Sequence, residues 1–229
     1  ALSTSISGVF TPQINRIVAR GEGDEQLTKL FTRVGRIQFM LLMLVLTGFV
    51  FVGKPFICAW GGEEYGAAYW IALLLIAPVT VPLIQNIGIE IQRAKNMHQF
   101  RSKVYFCMAI GNALVSIPLG MKFGGIGCAL GTAISMVVGN GFIMNWYYQT
   151  HIGLDMRYFW KHILSIVPAM LPAVALGIIA VRLHTFTGYA GVVTFAVPYA
   201  AVYAVGLYLF AMDESEKDMA RGVMRKIRR

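Results

Sequence analysis

Long apolar segments, separated by short polar connections, dominate this chain. Six of them lie at roughly 37–60, 67–91, 104–121, 125–148, 162–182 and 188–212. Their lengths fall near the ~17–25 residues that an α-helix needs to cross a bilayer. A backbone inside lipid must satisfy its own hydrogen bonds, so each segment is predicted to be a helix. The pattern predicts an all-α fold, a polytopic membrane helix bundle.

Two further segments precede these spans. Residues 1–15 begin with an apolar run, Ala1–Phe10, that is too short to cross a membrane, and the chain does not open on Met. We therefore expect a truncated membrane helix at 1–15 and a chain that is the C-terminal part of a longer protein. Residues 16–36 contain a turn at Gly21–Asp24 and then apolar residues at helical spacing, which predicts a cytoplasmic amphipathic helix on the membrane surface.

The positive charges predict which connections are cytoplasmic. All of the 20 Lys and Arg residues except Lys54, Lys122 and Arg182 lie in every second connection or in the tail, 213–229. Short loops rich in Lys and Arg stay in the cytoplasm. The protein is therefore predicted to be a multi-pass protein of the cell inner (cytoplasmic) membrane, with a basic cytoplasmic tail at its C-terminus.

Composition excludes several classes of protein. Hydrophobic residues make up 57% of the chain and charged residues 14%, against ~25% charged residues in soluble domains. The net charge of +9 is explained by membrane topology, so nucleic acid is not a predicted partner. The three Cys and four His lack metal-ligand spacing, and neither a phosphate-binding GxxxxGK[ST] loop nor a GxSxG motif is present. No catalytic residue, metal ligand or cofactor is predicted, and a secondary transporter is favoured over an enzyme.

Polar residues inside the spans are the candidates for a transport path. Pro82, Asn86 and Glu90 are spaced by four and share one helix face. Glu90 either carries H⁺ or Na⁺, with Asn86 on the same path, or pairs with Arg93 near the helix end. The remaining amides at membrane depth either line the path or bond neighbouring helices; they are Gln85, Asn112, Asn140 and Asn145.

Other residues suggest packing or entry. Arg16 and Arg20 are candidates for attracting a phosphate at the cytoplasmic entrance, although topology alone also explains them. A stripe of small residues indicates close helix packing and comprises Gly127, Gly131, Ser135 and Gly139. An aromatic stripe suits helix packing, lipid contact or sugar stacking and comprises Phe195, Tyr199 and Tyr203.

Several motifs, taken in order, resemble one family of transporters. The segments concerned are Phe10–Arg16, Gly21–Leu27, Val52–Ile57, Gly61–Ala68 and Phe123–Thr132, the last preceded by Asn112. They are similar to the "P-x-I-x-R … G-D-x-x-x-L", "GKP-I … G-x-x-Y-x-x-A" and "N … FG-x-x-G-A-A-x-A-T" segments of the multidrug/oligosaccharidyl-lipid/polysaccharide flippase superfamily. The resemblance is to its polysaccharide-export branch.

The resemblance implies an intact protein of two six-helix lobes plus two appended helices. Residues 37–148 would be four helices of the C-terminal lobe, and residues 149–212 the two additional helices. The implied activity is translocation of an undecaprenyl-diphosphate-linked oligosaccharide for exopolysaccharide, capsule or O-antigen synthesis. Related flippases line their cavity with cationic residues, whereas no Lys or Arg is expected at mid-membrane here.

Two alternatives remain open from the sequence. One is an ion-coupled multidrug antiporter of the same superfamily, with Glu90 as its carboxylate. The other is a non-transporting membrane scaffold that docks glycan-synthesis proteins through the tail Lys217–Arg229. The expected partners are a lipid-linked glycan, membrane lipids, H⁺ or Na⁺ as coupling ion, and glycan-synthesis proteins.

Overall fold

The computed structural model describes residues 7–21, 23–184, 186–214, 216–218 and 221. Every regular element within these residues is helical, which confirms the predicted all-α class. The α-helices are α1 (Thr11–Arg20), α2 (Asp24–Gly61), α3 (Ala68–Ile84), α4 (Ile87–Ala94), α5 (Gln99–Met136), α6 (Met144–Tyr147), α7 (Met156–Leu164), α8 (Val167–Leu183) and α9 (Gly188–Phe210). A 3₁₀ turn (Glu63–Ala67) and two π-helical stretches (Val137–Ile143 and Tyr148–Ile152) complete them.

Five continuous helical segments in the described residues are long and apolar enough to cross a membrane. They are Asp24–Gly61, Glu63–Ile84, Gln99–Ile152, Met156–Leu183 and Gly188–Phe210. Large apolar side chains on these segments are exposed, among them Leu114, Ile117 and Met121. Such a surface is unfavourable in water but is what hydrocarbon requires. The chain is therefore a multi-pass membrane protein.

The longest segment, Gln99–Ile152, folds back on itself at Gly124. Gly124 has φ 61° and ψ −140°, a conformation that a residue with a Cβ rarely adopts. Hydrogen bonds across the fold join Arg101 to Tyr148, Tyr105 to Asn140, and Thr132 to Asn112. Each pair is closer in sequence than the one before, as in two antiparallel helices. The predicted spans 104–121 and 125–148 are thus the two arms of one hairpin.

Small residues hold the two arms of this hairpin close together. A Cβ added to Gly127 would collide with the Leu119 carbonyl, and one added to Gly139 would collide with the Met108 sulfur. Gly131 lies against the backbone and side chain of Ser116 in the same way. The predicted small-residue stripe is therefore a packing surface, because only residues without a large side chain allow this approach.

The predicted span 67–91 is a broken helix. α3 ends at Ile84 and α4 begins at Ile87, with Gln85 and Asn86 between them. Pro82, which lies inside α3, cannot donate a backbone hydrogen bond to the preceding turn and favours a kink. Two backbone hydrogen bonds span the gap. The Asn86 N–H donates to the Leu83 carbonyl, and the Gly88 N–H donates to the Gln85 carbonyl. The break places two polar side chains directly after the apolar segment Glu63–Ile84.

Helix α2 differs from the sequence prediction for 16–36. α1 ends at Gly21, which has φ 64°, and α2 begins at Asp24, where two acidic residues suit the positive end of the helix dipole. α2 then continues without interruption to Gly61, a length of 38 residues or ~57 Å at 1.5 Å per residue. The surface helix and the span that the sequence predicts as separate elements are one helix. No pair of helix-breaking residues interrupts the sequence near Arg36.

The described chain divides into two compact units. The first comprises 1–39 and 67–163, and the second comprises 40–66 and 164–229. This grouping differs from the sequence-based division, which placed 37–148 together and 149–212 apart. Of the predicted terminal segments, residues 1–6 and most of 213–229 lie outside the described residues.

Each unit has its own core of apolar and aromatic side chains. In the first unit, Phe31 packs against Tyr148 and Phe159 with ring centroids 5.7 and 4.7 Å away. In the second unit, the Phe195–Tyr199–Tyr203 stripe is buried, and Tyr203 donates a 2.8 Å hydrogen bond to the Met40 carbonyl. Helix packing is therefore the role that this stripe fills within its unit.

Candidate functional site

A cavity with a largely apolar lining opens in the first unit between α3 and the two arms of the hairpin, and we name it the polar cavity for the polar side chains that each of these elements contributes. Its volume is about 390 Å³. Each helix contributes one face, because the lining residues recur at helical spacing. They are Val79, Pro82, Leu83 and Asn86 from α3 and its end; Arg101, Tyr105, Met108, Ala109 and Asn112 from the first arm; and Thr132, Ser135, Met136 and Asn140 from the second.

Arg101 is the cation of this cavity, and tyrosines hold it in place. Its guanidinium donates to the Tyr105 hydroxyl at 2.6 Å and to the Tyr148 hydroxyl at 3.3 Å. The guanidinium carbon also lies 4.7 Å from the centre of the Tyr105 ring. Two hydroxyl contacts and a ring leave the remaining N–H groups of the planar fork available toward the cavity. Arg101 is thus oriented before any ligand arrives.

The hydrogen-bond chain continues to the opposite arm. Tyr105 donates to the Asn140 side-chain oxygen at 2.9 Å, and Asn140 is buried. Asn140 lies in the π-helical stretch Val137–Ile143. A π-helical turn widens a helix locally and occurs often at functional sites. The cavity is therefore bordered by two irregular helices, the broken α3–α4 and this π-helical stretch.

Asn112 occupies the deeper part of the cavity. Ser116 donates to its side-chain oxygen at 2.6 Å, and Thr132 lies 3.4 Å from the same atom. The Thr132 hydroxyl has one hydrogen and lies closer to the Cys128 carbonyl, at 3.1 Å. Ser116 is therefore the donor to the Asn112 oxygen, and the Asn112 amide N–H groups have no partner among the described residues. Asn112 thus lines the cavity with unpaired amide donors, and its place on a transport path stays a prediction.

The other predicted path residues separate into two groups. Asn86 lines the cavity with Asn112. Gln85 instead points away from it and donates to the Asn145 side-chain oxygen at 3.0 Å, an oxygen that also accepts from the Trp160 indole at 2.8 Å. Gln85 and Asn145 therefore join helices inside the first unit.

Glu90 lies in α4, after the break, and has two partners. Arg93 donates to one carboxylate oxygen at 3.0 Å, and the Thr11 hydroxyl lies 3.5 Å from the other. Glu90 does not belong to the cavity lining. Of the two sequence interpretations of Glu90, the ion pair with Arg93 is the one whose geometry is present.

The basic residues Arg16 and Arg20 are exposed on α1, outside the cavity. Lys95, which follows α4, connects the start of α2 to the end of the π-helical stretch Tyr148–Ile152. Its ammonium lies 2.5 Å from the Asp24 carboxylate and donates to the Ile152 carbonyl at 2.7 Å.

Helix α2 starts with a further ion pair outside the predicted span. The Lys29 ammonium donates a hydrogen bond to the Glu25 carboxylate at 2.6 Å. This hydrogen bond and the charge of Lys29 lower the pKa of Glu25 below its ordinary value. Both side chains remain largely exposed, so the pair contributes little to stability.

Sequence reasoning missed Arg101 and Tyr105. A usable signal was present: Arg101, Tyr105, Met108 and Asn112 recur at intervals of four, three and four, which is one helix face. The charge pattern places Arg101 in the cytoplasmic connection with its neighbours, because that pattern counts charges and does not consider helix faces. The hairpin register, which brings Asn140 and Tyr148 to that face, is a tertiary property.

Comparison with known proteins gave no further guide. No protein-family model, no curated protein and no solved structure matches this chain.

Proposed function

We propose that this protein acts as a secondary transporter in the cell inner membrane. It moves an undecaprenyl-diphosphate-linked oligosaccharide from the inner to the outer leaflet. The observation that carries the proposal is the polar cavity of the first unit, which Arg101, Asn86 and Asn112 line beside the break between α3 and the short helix α4. The motif resemblance described above supplies the substrate class.

The chemistry of the cavity suits such a substrate. A guanidinium pairs with phosphate through parallel charged hydrogen bonds, and Arg is favoured for that role over Lys. Amide N–H groups of Asn112 and Asn86 match glycan hydroxyls. Asn112 lies inside the predicted span 104–121, where polar groups are costly and are usually kept for function. The glycan head would use the cavity while its lipid tail stays in the bilayer.

The irregular helices give a route for conformational change. Broken helices near the membrane midplane recur in transporters that work by alternating access. Here the break at Gln85–Asn86 and the π-helical stretch Val137–Ile143 both border the cavity. A motion at either would alter the cavity without breaking the hairpin. Coupling would come from an ion gradient or from the membrane potential, which supplies ~2.3 kcal/mol per charge at 100 mV.

The two alternatives receive less support. A carboxylate-driven antiporter needs a carboxylate on the path, whereas Glu90 pairs with Arg93 and does not line the cavity. A scaffold that binds partners through its tail would not need a polar cavity.

The test is a leaflet-accessibility assay with labelled lipid-linked glycan in cells that lack the gene. Deletion is expected to abolish flipping, and the intact gene should restore it. The Arg101→Gln variant should restore a flipping rate at least tenfold lower than that of the intact gene, because it loses a charged hydrogen bond worth ~1.5–3 kcal/mol. Lys103→Gln, two residues away and exposed, is the matched control.

Two results would contradict the proposal. One is normal flipping in the deletion strain. The other is full restoration by Arg101→Gln at the same protein level as the Lys103→Gln control.

A further inference from the structure

We propose that the groove between α1 and the first turns of α2 binds the headgroup of an anionic phospholipid. The groove has a volume of about 250 Å³. It is lined by Gln13 and Ile17 of α1 and by Gln26, Lys29, Leu30 and Arg33 of α2. It shares no lining residue with the polar cavity, so this site is independent of the proposed transport function.

The groove combines an apolar floor with a polar rim. Ile17 and Leu30 form the floor and are 4% and 6% exposed. Gln13, Gln26, Lys29 and Arg33 form the rim and are exposed. A phospholipid headgroup has the same two-part character, since its phosphate is charged and its glycerol backbone leads to acyl chains. A free phosphate ion would have no use for the apolar floor.

The charges on the rim are available to an anion. Arg33 has no hydrogen-bond or ion-pair partner among the described residues. Lys29 is shared with Glu25, but its side chain remains 62% exposed and can reach a second anion. The Arg33 guanidinium and the Lys29 ammonium lie on α2 with the Gln26 amide, and the Gln13 amide lies on α1. Together these groups present several donors to a phosphodiester.

The position along α2 places the rim at headgroup depth. Arg33 lies four residues before the predicted start of the span at Ile37, a distance of ~6 Å along the helix. The interfacial layer on each side of the hydrocarbon is about that thick. Because α2 continues unbroken from the groove into the predicted span, we place the groove at the bilayer surface. The charge pattern assigns this end to the cytoplasmic side, where anionic lipids attract Lys and Arg.

The experiment uses the full chain in nanodiscs made from equal parts of phosphatidylglycerol and phosphatidylcholine. Native mass spectrometry after mild detergent release measures which lipid remains bound. Phosphatidylglycerol is expected to be retained over phosphatidylcholine. Arg33→Gln should reduce the retention about fivefold, the change that ~1 kcal/mol per cation corresponds to. Lys29→Gln combined with Arg33→Gln should reduce it further.

The matched control is Lys122→Gln combined with Arg182→Gln, which removes the same charge from exposed residues near the other membrane surface. This control should keep the preference. Soluble glycerol phosphate serves as the free-phosphate arm and should not displace the lipid. Arg33→Lys, which retains the charge, should lose less than Arg33→Gln and guards against an effect of misfolding.

Three outcomes would overturn the inference. The first is unchanged lipid preference in the Lys29→Gln, Arg33→Gln variant. The second is an equal loss in the Lys122→Gln, Arg182→Gln control, which would indicate a general charge effect. The third is displacement by glycerol phosphate, which would make the groove a site for a soluble phosphate.

Discussion

At the scale of single residues, two cations of the same polar connection have different surroundings. Lys95 bonds to the Asp24 carboxylate and the Ile152 carbonyl. Arg101, six residues later, lines the cavity, and among the described residues it bonds only to neutral tyrosine hydroxyls. An Arg without a carboxylate partner keeps its full charge for a ligand, whereas a Lys in an ion pair does not. Their contacts assign the first to structure and the second to binding.

The contacts of Lys95 lead to a prediction about the end of the first unit where α2 begins. Lys95→Met should loosen the start of α2 and the 152–155 connection, because both lose their shared donor. We expect a loss of about 1 kcal/mol, since the pair is partly exposed. Hydrogen exchange at 24–30 and 150–156 should accelerate.

The control for that measurement is Lys103→Met, which removes an exposed Lys from α5. It should leave exchange in both regions unchanged. Equal protection in Lys95→Met and the parent chain would mean that the ion pair does not hold these segments.

At the scale of elements, the hairpin Gln99–Ile152 is the feature on which the cavity depends. Its turn requires Gly124 at φ 61°, and its close packing requires Gly127, Gly131 and Gly139. The sequence revealed the small-residue stripe and both arms. It did not reveal which residues of the other arm would meet that stripe, because the register follows from the turn and from side-chain packing together.

The packing predicts opposite results for two glycines of the hairpin. Gly131→Ala should destabilise the protein by about 1–3 kcal/mol, because a Cβ would collide with Ser116, including its backbone. Gly111→Ala should cause no loss, since nothing lies within 4 Å of its added Cβ and Ala favours helix.

Thermal unfolding in detergent measures both variants under identical conditions. A transition temperature for Gly131→Ala equal to that of Gly111→Ala would contradict the close packing of the two arms. A lower transition temperature in Gly111→Ala alone would contradict the finding that nothing packs against Gly111.

Helix α2 and the α3–α4 break show where element prediction stopped. Asp24 and Gly21 marked the start of α2 correctly, because capping and dipole effects are local. The helix boundary expected near Arg36 is absent. The density of charged residues changes at this position, but the helix propensity of the residues does not. The break at Gln85–Asn86 follows Pro82, yet Pro55 lies inside α2 without ending it. Neighbouring helices decide which proline interrupts a membrane helix.

At the scale of the whole molecule, charge and apolar length determine how the chain enters the bilayer. The cationic connections are predicted to be cytoplasmic, and the short connections near Gly62 and Gly124 to be external. The five apolar helical segments, one of them folded into a hairpin, are compatible with that alternation. The side of each connection remains a prediction from charge.

Cysteine labelling in intact cells tests this topology. In a variant without Cys58, Cys107 and Cys128, Glu63→Cys should react with an impermeant maleimide, because the 3₁₀ turn is exposed on the predicted outer side. His98→Cys should react only after permeabilisation. Labelling of His98→Cys in intact cells would reverse the orientation and remove the basis for the inward-to-outward transport direction.

The sequence by itself determined the class of the protein, its spans and its predicted orientation, because these depend on the sum of apolar and charged residues along short stretches. It also identified Asn86 and Asn112 as polar residues on helix faces. The tertiary structure decided that Arg101, Tyr105 and Asn140 meet them in one cavity and that Glu90 and Gln85 do not. Those choices depend on a hairpin register and a helix break, in which contacts between residues distant in sequence outweigh local preference.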